Sequence, residues 1–163
     1  MQTVVLAAGR GSRMEPLTTT TPKPMLPVAG RPLVEHTARG AVAAGASSLV
    51  FVVGYRGDTV REHFGASYDG VPISYAEQDQ QHGTADALSA ASDHLDGPFV
   101  VLNGDDLYDP TSLAGLYGAS PAVGGYTVED PTAYGVVSVD AGAGIEITAK
   151  AADPPSNGVN TGA

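Results

Sequence analysis

Short, continuous runs of Val, Leu and Phe recur along the chain. The stretches between them carry apolar residues three or four apart, the spacing of half-buried helices. Residues 3–8, 48–53, 71–76, 99–103, 123–128 and 135–139 read as strands. Several hold continuous Val/Leu/Phe runs, as expected of strands covered on both faces. Residues 32–44 read as an Ala-rich helix with Pro32 near its start and Gly45 at its end. A second helix covers 58–64 and stops at Gly65. A third, over 84–94, places Ala85, Leu88, Ala91 and Leu95 on one face, and a fourth, over 110–117, takes Asp109 as its N-cap. Strands alternating with helices predict an α/β fold, a mostly parallel sheet layered between helices. In such sheets ligands sit beyond the carboxyl ends of the strands. The loop at Gly9 and the turn at Gly104-Asp105 both fall there. No repeat, low-complexity segment or linker interrupts the pattern, and 163 residues fit one domain.

Composition narrows the class. A hydrophobic content of 42% with scattered charge is that of a soluble globular chain. No stretch approaches the roughly 18 apolar residues of a membrane span, and the first strand leaves no room for a signal peptide. Cysteine is absent, which removes disulfides, thiolate chemistry and cysteine-ligated zinc. A cytoplasmic location is the simplest expectation. Asp outnumbers Glu twelve to six, and Lys occurs only at Lys23 and Lys150. A surface so acidic and lysine-poor suits a salt-rich medium, where screening suppresses self-repulsion.

The charge is unevenly spread. Residues 1–31 hold Arg10, Arg13, Lys23 and Arg31 against Glu15 alone, a balance of +3, while the remainder carries −13 of the total of −10. An acidic chain that gathers cations around one Gly-rich loop is built to hold an anion there. Nucleic acid is a poor candidate, because most of the surface would repel a long phosphate backbone.

Within that segment a strand ends in Ala7, Ala8 and Gly9, where backbone amides can lie open to an anion. Arg13 follows, then a Thr-rich loop, then Lys23 between two prolines. Cations on both sides of an amide-lined concavity suit a polyphosphate. The loop is not a Walker A sequence, since no Gly-Lys-Ser/Thr follows four residues after a glycine. Nor is it a dinucleotide fingerprint, since Met14 stands where the third glycine belongs. An ordinary strand-to-helix turn with solubilising arginines is the alternative. Asn103-Gly104-Asp105-Asp106 follows a buried strand, and a carboxylate there suits a hard cation such as Mg²⁺; a plain Asp/Gly turn would look the same. Glu77-Gln78 and Gln81-His82-Gly83-Thr84-Ala85 join a strand to a helix. The Gln78 amide could read a pyrimidine edge, or the segment could be a polar loop in which Thr84 caps its helix.

Leu6-Ala7-Ala8-Gly9-Arg10-Gly11-Ser12-Arg13-Met14-Glu15-Pro16-Leu17-Thr18, followed by Pro22-Lys23-Pro24-Met25, resembles the sugar-1-phosphate nucleotidylyltransferases. Their pattern reads L-A-A-G-x-G-T-R-x-x-P-L-T and then P-K-P-M, and only Ser12 departs from it. The resemblance covers essentially the whole chain. It implies a Rossmann-like three-layer sandwich and transfer of a nucleoside monophosphate from UTP or dTTP to a sugar 1-phosphate, with pyrophosphate released. It implies Arg13, Lys23 and Asp105 as catalytic groups, with Mg²⁺ on Asp105. Leu6, Ala8, Gly9, Gly11, Gln78, Gly83 and Thr84 would contact the nucleotide, and Asp106 would be a bystander. Gly135, Lys150 and Asn160 would contact the sugar phosphate. The family's Glu-Lys-Pro around that lysine is Ala149-Lys150-Ala151 here, which leaves an acceptor for the sugar open. The resemblance further implies that Ala163 falls partway through the catalytic domain, ahead of a second metal-binding aspartate. A nucleotide-binding module without turnover, and cytidylyl transfer to a phosphorylated alcohol, are the other readings. A homo-oligomer is compatible with the sequence.

The acidic surface makes one prediction. Followed by circular dichroism across a KCl series, the folded signal should strengthen with salt; full folding in dilute buffer with no gain from KCl contradicts it.

Overall fold

A computed structural model describes residues 1–79, 83–119, 121–140, 144–149 and 151–162. These fall into two compact units, residues 1–120 and 121–163. In the first, β1 (Gln2–Leu6) leads through the glycine loop to a small antiparallel hairpin, β2 (Pro27–Val28) and β3 (Arg31–Pro32). Helix α1 (Leu33–Ala43), β4 (Ser48–Val53), α2 (Gly57–Phe64), β5 (Ser67–Tyr68) and β6 (Val71–Glu77) follow. Then come α3 (Thr84–Ala90), β7 (Phe99–Asn103) and α4 (Pro110–Tyr117).

The sheet runs β5-β6-β4-β1-β7, parallel except for the β5 edge. From β1 the chain steps outward through β4 to β6 and then returns to the other flank of β1 as β7. The carboxyl ends of β1 and β7 therefore border the crevice where the winding reverses, the preferred ligand position of an open α/β sheet. Alternate residues point to opposite faces. On one face Val4, Val50, Val52 and Ala76 pack with Ala87 and Ala91, and Leu88 and Leu95 close the cluster. On the other, Phe51 meets Phe64 of α2 at 4.7 Å, and the Thr3 hydroxyl bonds Tyr117 of α4. This is the three-layer α/β sandwich expected from the pattern.

The differences are local. The third helix is shorter than the predicted 84–94, and Ser92–His94 tighten into a 3₁₀ turn. Ala85 is exposed, because the buried stripe runs through Ala87 and Ala91 instead. The hairpin β2–β3 and strand β5 were not predicted; two-residue strands carry no readable period. Asp109 does cap α4, accepting from the Ser112 amide at 2.9 Å.

The second unit is an antiparallel sheet in the order β10-β9-β11-β8. Its strands are β8 (Gly125–Thr127), β9 (Gly135–Asp140), β10 (Gly144–Ala149) and β11 (Gly158–Asn160). Val136 and Val159 are paired and fully buried.

Glu35 of α1 is a buried charge with three partners. Arg31 pairs with its Oε1, His63 Nε2 lies 2.9 Å from Oε2, and the Tyr68 hydroxyl donates to Oε1 at 3.2 Å. Burial pushes the Glu35 pKa up, but the hydrogen bonds from Arg31, His63 and Tyr68 and the Arg31 charge outweigh it, and the net shift is downward. A carboxylate depressed in the folded state adds stability above its unfolded pKa and loses it as pH falls through the folded one. Glu35→Gln should therefore cost about 2 kcal/mol near pH 7. In urea melts the difference from the parent should close below the ordinary glutamate range; a gap that persists in acid contradicts this.

Candidate active site

Arg13, Lys23 and Asp105 meet in one cleft of about 320 Å³. Its walls are the end of β1, the glycine loop, the Lys23–Met25 turn and the Gly104-Asp105 turn after β7. Lys23 Nζ is hydrogen-bonded and ion-paired to Asp105 Oδ2, and each side chain is one-third exposed. Arg13 is exposed on the same wall and, among the described residues, has no acidic partner. The cradle thus has a free guanidinium and an ammonium whose remaining protons can turn to a ligand.

Local geometry explains the glycines. Gly11 has φ of 74°, the left-handed region, and a Cβ there would lie 2.7 Å from Lys23 Cβ. The Thr18 hydroxyl holds the Gly11 carbonyl at 2.8 Å. Gly104 donates its amide to the Leu6 carbonyl at 2.9 Å, and an added Cβ would stand 2.7 Å from that oxygen. At Gly9 a Cβ would meet nothing within 4 Å, although the residue lines the cleft.

Not every amide of the loop is open. The Ala7 amide is spent on Val52 of β4 at 2.8 Å, because the sheet pairing runs one residue past β1. Ala8 is buried in the core beneath α3 and does not line this cleft. Among the described residues the amides of Gly9 to Arg13 make no hydrogen bond within the chain.

Asp106 proves to be a clamp on the Asp105 turn. Its carboxylate accepts from Asn103 Nδ2 at 3.0 Å and from the Tyr108 hydroxyl at 3.5 Å, while its carbonyl accepts from the Thr37 hydroxyl at 2.9 Å. Burial raises the Tyr108 pKa, and the charges of Asp106 and Asp105 add to it, so the phenol stays protonated as a donor. Tyr108 and Thr37 carried no signal in the sequence, since their partners lie across a turn or on another element.

Gln78, at the end of β6, lines a second cleft with Arg10, Gly54, Tyr55, Glu77 and Asp79. Arg10 lines both clefts and lies 5.0 Å from the Tyr55 ring centre. Gln78 Nε2 donates to the Gly83 carbonyl at 3.2 Å and to Asp86 Oδ2 at 2.7 Å, so Gln78 and Gly83, both expected at the nucleotide, touch each other. Gly83, not Thr84, is the N-cap of α3, with φ of 104°. Thr84 is exposed at the first helical position, and among the described residues no side chain caps the helix. Gln81, His82 and Lys150 lie outside the described residues. In the second unit Gly135 and Asn160 come together on neighbouring strands, and Asn160 Oδ1 accepts from the Gly162 amide at 2.9 Å.

Among the described residues no three His, Cys, Asp or Glu side chains gather as a metal cage. A single carboxylate lining this cleft, Asp105, fits Mg²⁺ nonetheless, because that ion takes one or two carboxylates and completes its shell with water and substrate phosphates, although Lys23 holds Oδ2 here.

Comparison with known proteins gives the family. The nucleotidyl transferase family model matches residues 2–163. The chain belongs to the nucleotidyl transferase family. It is 39% identical to the UTP–glucose-1-phosphate uridylyltransferase AglF of Haloferax volcanii, across 99% of this chain and 70% of that protein. It is 32% identical to the bifunctional protein GlmU of Methanocaldococcus jannaschii, across 99% of this chain and 39% of that one. A UDP-glucose pyrophosphorylase solved with UDP-glucose superposes with a TM-score of 0.84 at 26% identity, over 99% of this chain and 74% of its own. The resemblance to sugar-1-phosphate nucleotidylyltransferases therefore holds. As a nucleotidyltransferase, the chain is an enzyme of the class that forms nucleotide sugars.

The glycines of this nucleotidyltransferase separate fold from ligand. Gly104→Ala should lower Tm markedly, since backbone must move to relieve the contact. Gly9→Ala should leave Tm unchanged yet weaken nucleotide binding, measured by isothermal titration. Parent-like affinity in Gly9→Ala would remove Gly9 from the phosphate site.

Proposed function

We propose that the chain transfers a nucleoside monophosphate from UTP or dTTP to a sugar 1-phosphate, forming the nucleotide sugar and releasing pyrophosphate. The observation that carries this reading is the pairing of Lys23 with Asp105 in the glycine-loop cleft that Arg13 also lines. An oxygen of the sugar phosphate attacks the α-phosphorus in line as the bond to pyrophosphate breaks. The nucleophile is already ionised at neutral pH, so neither a protein nucleophile nor a strong base is required. Catalysis then rests on positioning and on neutralising charge.

Each residue has a separate task in this reading. Arg13 faces the departing β- and γ-phosphates. Lys23 turns from Asp105 toward the α-phosphate as negative charge builds there. One cation about 4 Å from such an oxygen contributes on the order of 4 kcal/mol at an effective dielectric of 20. Mg²⁺ held by Asp105 and the substrate phosphates would supply further charge neutralisation at the transferring group. Leu6, Ala8 and Gly9 hold the nucleoside, with Gly9 and Gly11 in the turn that grips the phosphates, Gln78 and Gly83 read the base with Thr84 beside them, and Gly135, Lys150 and Asn160 receive the sugar phosphate. The uridylyl and UDP-glucose names of the relatives support uracil or thymine as the base. The acidic surface and a relative from Haloferax volcanii support a salt-rich working medium.

Titration with UTP and dTTP beside a pyrophosphate-release assay tests the reading. Binding with release supports it, and binding without release selects a nucleotide-binding module. Lys23→Ala should lower kcat by about 10²- to 10³-fold while nucleotide affinity changes far less. Equal losses in both would end the transition-state role of Lys23.

A further inference from the structure

We infer that Asp86 determines base specificity as a positioning residue, locking the Gln78 amide so that its carbonyl oxygen is the group offered to the nucleotide base. The inference rests on Gln78 as the base contact proposed above.

Gln78 is held at both ends. Its amide nitrogen in the main chain donates to the Val53 carbonyl at 2.8 Å, and the residue is only 7% exposed. Its side-chain Nε2 faces the Gly83 carbonyl at 3.2 Å and Asp86 Oδ2 at 2.7 Å. Both partners are acceptors only, so chemistry dictates which way the amide lies: reversed, it would set its own oxygen against two others. The two contacts are unequal. The Gly83 carbonyl also accepts the Ala87 amide at 3.1 Å as the first turn of α3 closes, so it is shared. The Asp86 contact is short and charge-assisted, and it carries most of the lock.

With Nε2 committed, Gln78 presents Oε1, an acceptor. Uracil and thymine carry a donor, N3–H, between their two carbonyls; cytosine carries an unprotonated, accepting nitrogen at the same position. An acceptor set against that position attracts the first pair and repels cytosine. A site built around one oriented polar group rejects the mismatched partner strongly, because the buried group is then left unpaired. Glu77 and Asp79 line the same cleft and add no donor there when ionised.

The test compares kcat/KM for UTP and CTP in the full chain, with Asp86→Asn and Asp86→Leu beside the parent. Asp86→Asn offers the Gln78 amide either a donor or an acceptor, so the amide can turn over. The UTP-over-CTP preference should fall about tenfold or more, with KM for the sugar phosphate unmoved. A preference retained in both variants overturns the inference. A second readout needs no turnover: proton exchange of the Gln78 side-chain amide, assigned with Gln78→Leu, by NMR. That amide should be protected in the parent and lose protection in Asp86→Leu; unchanged exchange overturns the lock. Failure of the parent chain to act on any nucleotide would strike the proposed function, while amide exchange would still decide whether the lock exists.

Discussion

The bond from the Gly104 amide to the Leu6 carbonyl fixes the arrangement on which this molecule depends. It extends the parallel pairing of β1 with β7 one residue past the last strand position, at the point where both strands give way to loops. Because nothing larger than hydrogen fits between them, the two loops leave the sheet side by side. One carries Arg13 and then Lys23, the other Asp105. A cation and a carboxylate that lie 82 residues apart in sequence become neighbours by that close approach.

Helix α1 holds both halves of the pair. At its start Glu35 takes Arg31 from the hairpin that follows Lys23, and the His36 ring bonds the Val28 carbonyl at 2.8 Å. Within the same turns, the Thr37 hydroxyl reaches the Asp106 carbonyl behind Asp105. The loop bearing the cation and the turn bearing the carboxylate are therefore referenced to one rigid element. The part-buried bonds among these, Arg31–Glu35 and Thr37–Asp106, specify a position because leaving them unmade is costly.

What the sequence disclosed follows from the range of each interaction. β4 and β7 were legible because residues 49–53 and 99–102 are unbroken apolar runs, the first buried throughout, and α1 because its punctuation is local. β10 was not read as a strand, and the hairpin β2–β3 is too short to show a period. The loop carrying Arg13 and Lys23 was legible from its glycines, its charge and its resemblance to a family. The amide of Ala7 was misjudged as open, since Ala7 still belongs to the sheet. Glu35 and Asp86 were illegible for a different reason. An acid on a helix looks the same whether it faces water or, as Glu35 does, meets His63 and Tyr68 from elements folded later in the chain.

The strand order has a consequence for how the chain acquires its shape. β1, the earliest strand, lies inside the sheet, and its partners begin at Ser48 and Phe99. Its two hydrogen-bonding edges must wait for segments tens of residues downstream, so the sheet closes through long-range contacts, which are slow to form. The crevice between β1 and β7 is completed only when the more distant partner docks. A chain emerging from the ribosome would thus assemble its β4–β6 flank before a substrate could find anywhere to bind.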